Sequence, residues 1–86
     1  MPFEVYFSEL FLERAKKLDK SIVLEIDKKI EKLKENPTAT EHRMHYGKDF
    51  FRIYVRNMRL VYKVEGNKIT LLDIFKREEG YVKFRN

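Results

Sequence analysis

The segment from Phe50 to Tyr62, FFRIYVRNMRLVY, constrains the fold more than any other part of the chain. A two-residue turn at Arg56-Asn57 closes it into a β-hairpin, since asparagine tolerates the left-handed backbone that such turns need. Antiparallel pairing then sets Val55 opposite Met58, Ile53 opposite Leu60 and Phe51 opposite Tyr62. Successive side chains of a strand alternate between faces, so these six share one face that is almost wholly apolar. The other face carries Arg52, Tyr54, Arg59 and Val61. Two arginines and a tyrosine on strands backed by a core make an anion-binding surface, and paired guanidinium groups suit phosphate.

Charge supports an anionic partner. Lys and Arg number 19 against 14 Asp and Glu, a formal net charge of +5. The excess belongs to the second half: from Arg43 to Asn86 there are eleven basic residues and five acidic ones. Nucleic acid or an acidic protein fits such a distribution. With 86 residues the chain makes one domain, residues 1–86, and a domain this small is often helped by a partner. Cysteine is absent, which removes disulfides and thiolate metal sites and fits a reducing compartment. No apolar run is long enough to span a membrane and no signal-peptide pattern opens the chain, so a cytoplasmic location is expected. The Lys- and Glu-rich composition resembles that of thermophile proteins.

Around the hairpin the elements read in order. PFEVYF, Pro2 to Phe7, is aromatic and β-branched, a first strand. Ser8 suits the N-cap of a short helix over about Glu9 to Lys17, whose apolar stripe is Leu10 or Phe11, then Ala15 and Leu18. Asp19 suits the cap of a longer helix in which Ile22, Ile26, Ile30 and Leu33 fall at helical spacing, with Lys28, Lys29, Glu31 and Lys32 outside. Asn36-Pro37 ends it, because the residue before proline avoids the helical region. Thr38 to Lys48 reads as loop or irregular edge. After the hairpin, Glu65-Gly66-Asn67 marks a second turn, and Lys68 to Lys76 a strand whose apolar centre suits an interior position. Strict alternation along it would send Asp73 into the core, so a bulge or a strand end is expected there. Glu78 to Asn86 is a short tail. The result is an α+β domain, β-α-α-β-β-β, with two N-terminal helices packed on one face of a small antiparallel sheet.

This order, end to end, resembles the RelE/ParE superfamily of toxins from bacterial and archaeal toxin–antitoxin systems. Three local patterns carry the resemblance. RIYVRNMRLVY, Arg52 to Tyr62, is similar to the family's basic residue, tight turn and "YR-aliphatic-aliphatic-Y" strand. KREEGY, Lys76 to Tyr81, is similar to its C-terminal arginine followed closely by tyrosine. Pro37 to Gly47 resembles its proline-to-glycine loop. The resemblance implies a RelE-like domain that cuts messenger RNA in the ribosomal A site, the 2′-hydroxyl attacking the adjacent phosphate without a metal or other cofactor. By position it implies catalytic roles for Arg52, Arg59, Arg77 and Tyr81. RNA-binding roles are expected for Arg43, Lys48, Tyr54, Arg56, Lys76, Lys83 and Arg85. It further implies a cognate RelB-like antitoxin, with the ribosome and mRNA as the other partners and no membrane.

The chemistry needs cations for the crowded anionic phosphorane, a proton acceptor and donor, and an aromatic surface for the displaced base. Arg59 and Arg77, supported by Arg52, meet the first need. Tyr81, Tyr54 or Phe84 meets the third. For proton transfer the residues offer Lys76, Lys48, Tyr81, His42 or His45, because Arg52 stands where many relatives have lysine and arginine does not readily give up its proton. Arg56 stands at a turn position often held by glycine. His42 and His45, with no carboxylate pattern nearby, make a poor metal site. Set against all this, Arg52 and Arg59 on a solvated sheet face could simply salt-bridge to Glu41 or Asp49. Two other functions stand beside the nuclease: a ParE-like toxin that binds DNA gyrase, and a degenerate member that binds its antitoxin but has lost chemistry.

Overall fold

The structure, a computed structural model, describes residues 3–38 and 49–76. Strand β1 is Glu4–Phe7, helix α1 Glu9–Ala15, helix α2 Lys20–Leu33, and strands β2, β3 and β4 are Phe50–Val55, Met58–Glu65 and Lys68–Lys76. The expected order β-α-α-β-β-β holds. The four strands form one sheet in the order β1-β4-β3-β2. β2, β3 and β4 pair antiparallel, whereas β1 runs parallel to β4, so the sheet is mixed. Hairpin turns force the direction of the last three strands. No turn joins β1 to β4, and side-chain alternation carries no information about strand direction.

The hairpin register is the one read from the sequence: Phe51 faces Tyr62, Ile53 faces Leu60 and Val55 faces Met58. All six are buried, in one cluster with Phe11, Ile26, Ile30 and Leu33 of the helices and Ile69, Leu71 and Ile74 of β4. Tyr62, Ile53, Leu60, Ile69, Leu71 and Ile74 are the largest of the fully buried side chains. Removing each from water contributes about 1.5–3 kcal/mol before entropy is counted. Phe11 is the α1 residue that enters the core and Leu10 stays exposed. Ile22 packs against the cluster without being fully buried.

Tyr62 shows how the core tolerates a phenol. Its ring stacks on Phe51 with centroids 5.5 Å apart, and its Oη donates to the Pro37 carbonyl at 2.7 Å. Burial pushes the phenol well above its ordinary range and keeps it a neutral donor. The bond ties the chain leaving α2 to the middle of the sheet. α2 stops at Leu33, before Asn36, and turns at residues 34 and 35 complete the exit. α1 likewise ends at Ala15, short of Lys17.

Two caps behave differently. Ser8 Oγ accepts from the Phe11 amide at 3.1 Å and donates to the Leu72 carbonyl at 2.7 Å. One hydroxyl thus caps α1 and pins it to β4. Asp19 sits at the N-cap of α2 with an extended backbone but makes no side-chain cap hydrogen bond.

The irregularity expected near Asp73 is present. Tyr62 pairs with Leu71 and Val61 with Asp73, so Leu72 is an extra residue in β4. The bulge resets the alternation: Ile74 enters the core, and Phe75 falls opposite Arg59. Asp73 takes the amide of Ile74 on its Oδ1 at 2.7 Å and pairs with Arg14 of α1 at 3.5 Å. The hairpin turn holds one surprise. Its left-handed residue is Arg56, with φ 54°, and Asn57 has no positive φ. Arg56 donates from Nε and Nη2 to the two carboxylate oxygens of Glu25 on α2, at 3.0 and 2.9 Å. The fork offsets part of the strain of this conformation. Among the described residues no helix is long and apolar enough to cross a membrane.

Candidate functional site

On the face of the hairpin away from the helices, Tyr54 and Arg59 are direct cross-strand partners and Arg52 lies two residues before Tyr54. All three side chains meet at one atom. Tyr54 Oη accepts from Arg52 Nε at 3.1 Å and from Arg59 Nη2 at 3.2 Å. Arg59 is also held by rings: its guanidinium carbon lies 5.4 Å from the centroid of Tyr54 and 6.0 Å from that of Phe75. Each such contact contributes about 0.5–2 kcal/mol according to how far it is desolvated. Phe75 reaches this position only because of the bulge at Leu72. Val61 and Phe75, with Phe50 and Leu72 packed against them, form a small apolar patch beside the charges.

The choice of acceptor matters. A carboxylate would hold two guanidinium groups as well as a phenol does, but it would cancel their charge. A neutral phenol fixes both groups without itself neutralising them. Asp49, one of the carboxylates considered as a surface partner, forms no salt bridge among the described residues, and neither does Arg59. Glu41, the other, lies outside them. The Arg59 Nε is buried and has no acceptor among the described residues, an arrangement costing about 1–3 kcal/mol that an anionic oxygen would relieve.

The two cations act back on the phenol. Burial raises its pKa, but the hydrogen bond from Arg52, the charges of Arg59 and Arg52, and the hydrogen bond from Arg59 together outweigh that effect. The Tyr54 phenol therefore lies below its ordinary value of 10.0.

Of the residues singled out in the sequence, the structure brings together Arg52, Tyr54 and Arg59. It directs Arg56 elsewhere, onto Glu25 of α2. Lys76 registers with Met58, whose side chain belongs to the helix-covered face, rather than with the arginine row. Arg43, Lys48, Arg77, Tyr81, Lys83 and Arg85 lie outside the described residues, as do His42, His45 and Phe84. Sequence reasoning treated Tyr54 as a stacking surface and missed its place between the two guanidinium groups. The signal was available: Tyr54 is two residues from Arg52 and opposite Arg59 in the same register. Phe75 was missed because only the exact place of the bulge turns it towards Arg59. Among the described residues no group of three or more His, Cys, Asp or Glu side chains is placed to hold a metal ion.

Comparison with known proteins bears on the family and the fold. Residues 5–81 match the family described as ParE toxin of type II toxin–antitoxin system, parDE. No curated protein matches the sequence. Among solved structures, a variant of the E. coli toxin RelE in the free state superposes with a TM-score of 0.85 at 24% identity, covering 98% of this chain and 93% of that one. The toxin of the intact E. coli RelBE toxin–antitoxin complex gives 0.80 at 24% identity, over 88% and 96% of the two chains. The RelB–RelE antitoxin–toxin complex from Methanococcus jannaschii gives 0.73 at 21% identity, over 92% and 98%. At these identities the structural likeness speaks for the fold.

Proposed function

We propose that this chain, which belongs to the ParE toxin family of type II toxin–antitoxin systems, is a toxin that inhibits translation by cutting ribosome-bound mRNA. The observation that carries the reading is the convergence of Arg52 and Arg59 on the Tyr54 phenol oxygen, two guanidinium groups fixed by one neutral acceptor. In the reaction the 2′-hydroxyl attacks the adjacent phosphorus. The bond from that oxygen to phosphorus forms, the bond to the 5′-oxygen breaks, and negative charge builds on the non-bridging oxygens. Two preorganised guanidinium groups stabilise that charge, and each such donor contributes about 10²–10³ in rate. Arg77 follows the last residue of β4 in the chain and Tyr81 comes four residues later. By their resemblance to family residues, Arg77 adds a further cation and Tyr81 a stacking surface. Arg43, Lys48, Lys83 and Arg85 supply phosphate contacts along the RNA. No metal or other cofactor enters this reading.

RelE toxins occur in complexes with RelB antitoxins, and a RelB-like antitoxin is the partner proposed for this chain. The ribosome as target places it in the cytoplasm. Purified chain added to ribosomes translating a defined mRNA should produce new 5′ ends within codons, and Arg52→Ala with Arg59→Ala should abolish them. Membership of the ParE toxin family keeps one second reading, the gyrase-binding toxin implied by the sequence resemblance. Trapped gyrase–DNA complexes in the absence of mRNA ends would select it.

A further inference from the structure

We propose that Tyr54 is the proton acceptor of the cleavage step, its phenolate oxygen taking the proton from the attacking 2′-hydroxyl. The inference rests on the ribonuclease reading above and supplies the one function that reading leaves unassigned. Neither arginine of the cluster can serve, because a guanidinium group does not give up its proton in a protein. Lys76 registers on the opposite side of the sheet. Tyr54 Oη is the atom on which both guanidinium groups converge, at 3.1 and 3.2 Å, so it adjoins the place where those groups would hold a phosphate. The residue is 37% exposed.

The same geometry favours the basic form. Two charged N–H groups directed at one oxygen stabilise a phenolate more than a phenol, the effect that holds the Tyr54 pKa below its ordinary value. Among the described residues, the charged groups that act on Tyr54 are Arg52 on its own strand and Arg59 on β3. β4 contributes Phe75 to this row. Its nearest titratable residues, Asp73 and Lys76, fall opposite Val61 and Met58 in the rows to either side. When the phenolate takes the proton from the 2′-hydroxyl, that oxygen closes onto phosphorus. The 5′-oxygen leaves and takes a proton from water, and the phenol later returns its proton to solvent. This proton transfer also frees the arginines in part: as the phenolate becomes a phenol, their hydrogen bonds to it weaken just as the phosphorane gathers charge.

The test is single-turnover cleavage of ribosome-bound mRNA by the full chain as a function of pH. Wild type should cleave faster as pH rises, until the phenol is fully ionised. A fluorinated tyrosine at position 54, nearly the same size with a more acidic phenol, should move that plateau to lower pH. Tyr54→Phe should lose about 10²–10⁴ in rate, the usual worth of a general base, and lose the rise with pH. A Tyr54→Phe enzyme with the wild-type rate overturns the proposal. So does a rate that falls while the fluorinated variant keeps the wild-type pH profile, which would make Tyr54 only an anchor for the arginines. Wild type that leaves mRNA uncut overturns the ribonuclease reading itself, and this proposal with it.

Discussion

Arg56 offers a test in which two opposing terms can be separated. Its backbone lies in the left-handed region at φ 54°, where a residue with a β-carbon is strained by about 1–2 kcal/mol. Its side chain pairs in a fork with Glu25, at 2.9 Å, the two side chains being 49% and 45% exposed. At that exposure the pair contributes about 0.2–1 kcal/mol. Arg56→Ala keeps the strain and loses the pair, so it should destabilise the fold by about that amount. Arg56→Gly loses the pair and removes the strain, while the freer unfolded chain costs about 0.4–1 kcal/mol. The glycine variant should therefore be about 1 kcal/mol more stable than the alanine variant and close to wild type. For a domain of this size that is a difference of about 4–8 °C in Tm, readable by thermal unfolding followed by circular dichroism. Raising salt should shrink the gap between wild type and alanine but leave the gap between glycine and alanine. Both variants should cleave mRNA like wild type, since Arg56 is tied to α2 rather than to the arginine cluster. A glycine variant less stable than the alanine variant would refute the assignment of strain to this turn.

Tyr62→Phe removes the 2.7 Å bond to the Pro37 carbonyl and should cost about 1–3 kcal/mol in urea unfolding, with activity unchanged. The buried Tyr62 phenol ionises at higher pH in the folded chain than in the unfolded one, so its contribution to stability is complete below about pH 10 and declines above it. The free energy of unfolding should therefore fall in that range by up to about 1.4 kcal/mol per pH unit, and less so in Tyr62→Phe. Ser8→Ala loses both the cap of α1 and the bond to the bulge carbonyl, and should destabilise by about 1–2 kcal/mol in the same assay. Arg59→Lys should not restore cleavage to Arg59→Ala, because an ammonium group lacks both the fork and the flat face that rests between Tyr54 and Phe75.

The hairpin was legible residue by residue because three signals agree there: alternation, a short turn and a single apolar face. The helix stripe Ile26, Ile30 and Leu33 was legible from its helical spacing. What escaped was decided by contacts between distant segments. The parallel pairing of β1 with β4 has no local signature. Propensity points to Asn57 as the left-handed residue, whereas it is Arg56, whose side chain pairs with Glu25, thirty-one residues away. Asp73 gave away the bulge, since a carboxylate breaks an apolar run, but it could not say that Phe75 would come to lie against Arg59. In the site, the sequence showed which residues share a face. That both arginines would converge on one phenol oxygen depends on rotamers that alternation does not reach.

The account stands most directly on whether the arginine face cuts RNA. The measurement is primer-extension mapping of mRNA ends in cells after induction of the chain alone, beside Arg59→Ala shown to be folded by its unfolding curve. New ends within translated codons are expected for wild type, and about 10²–10³ fewer for Arg59→Ala. Equal ends from both proteins, or none from wild type while growth still stops, would contradict it.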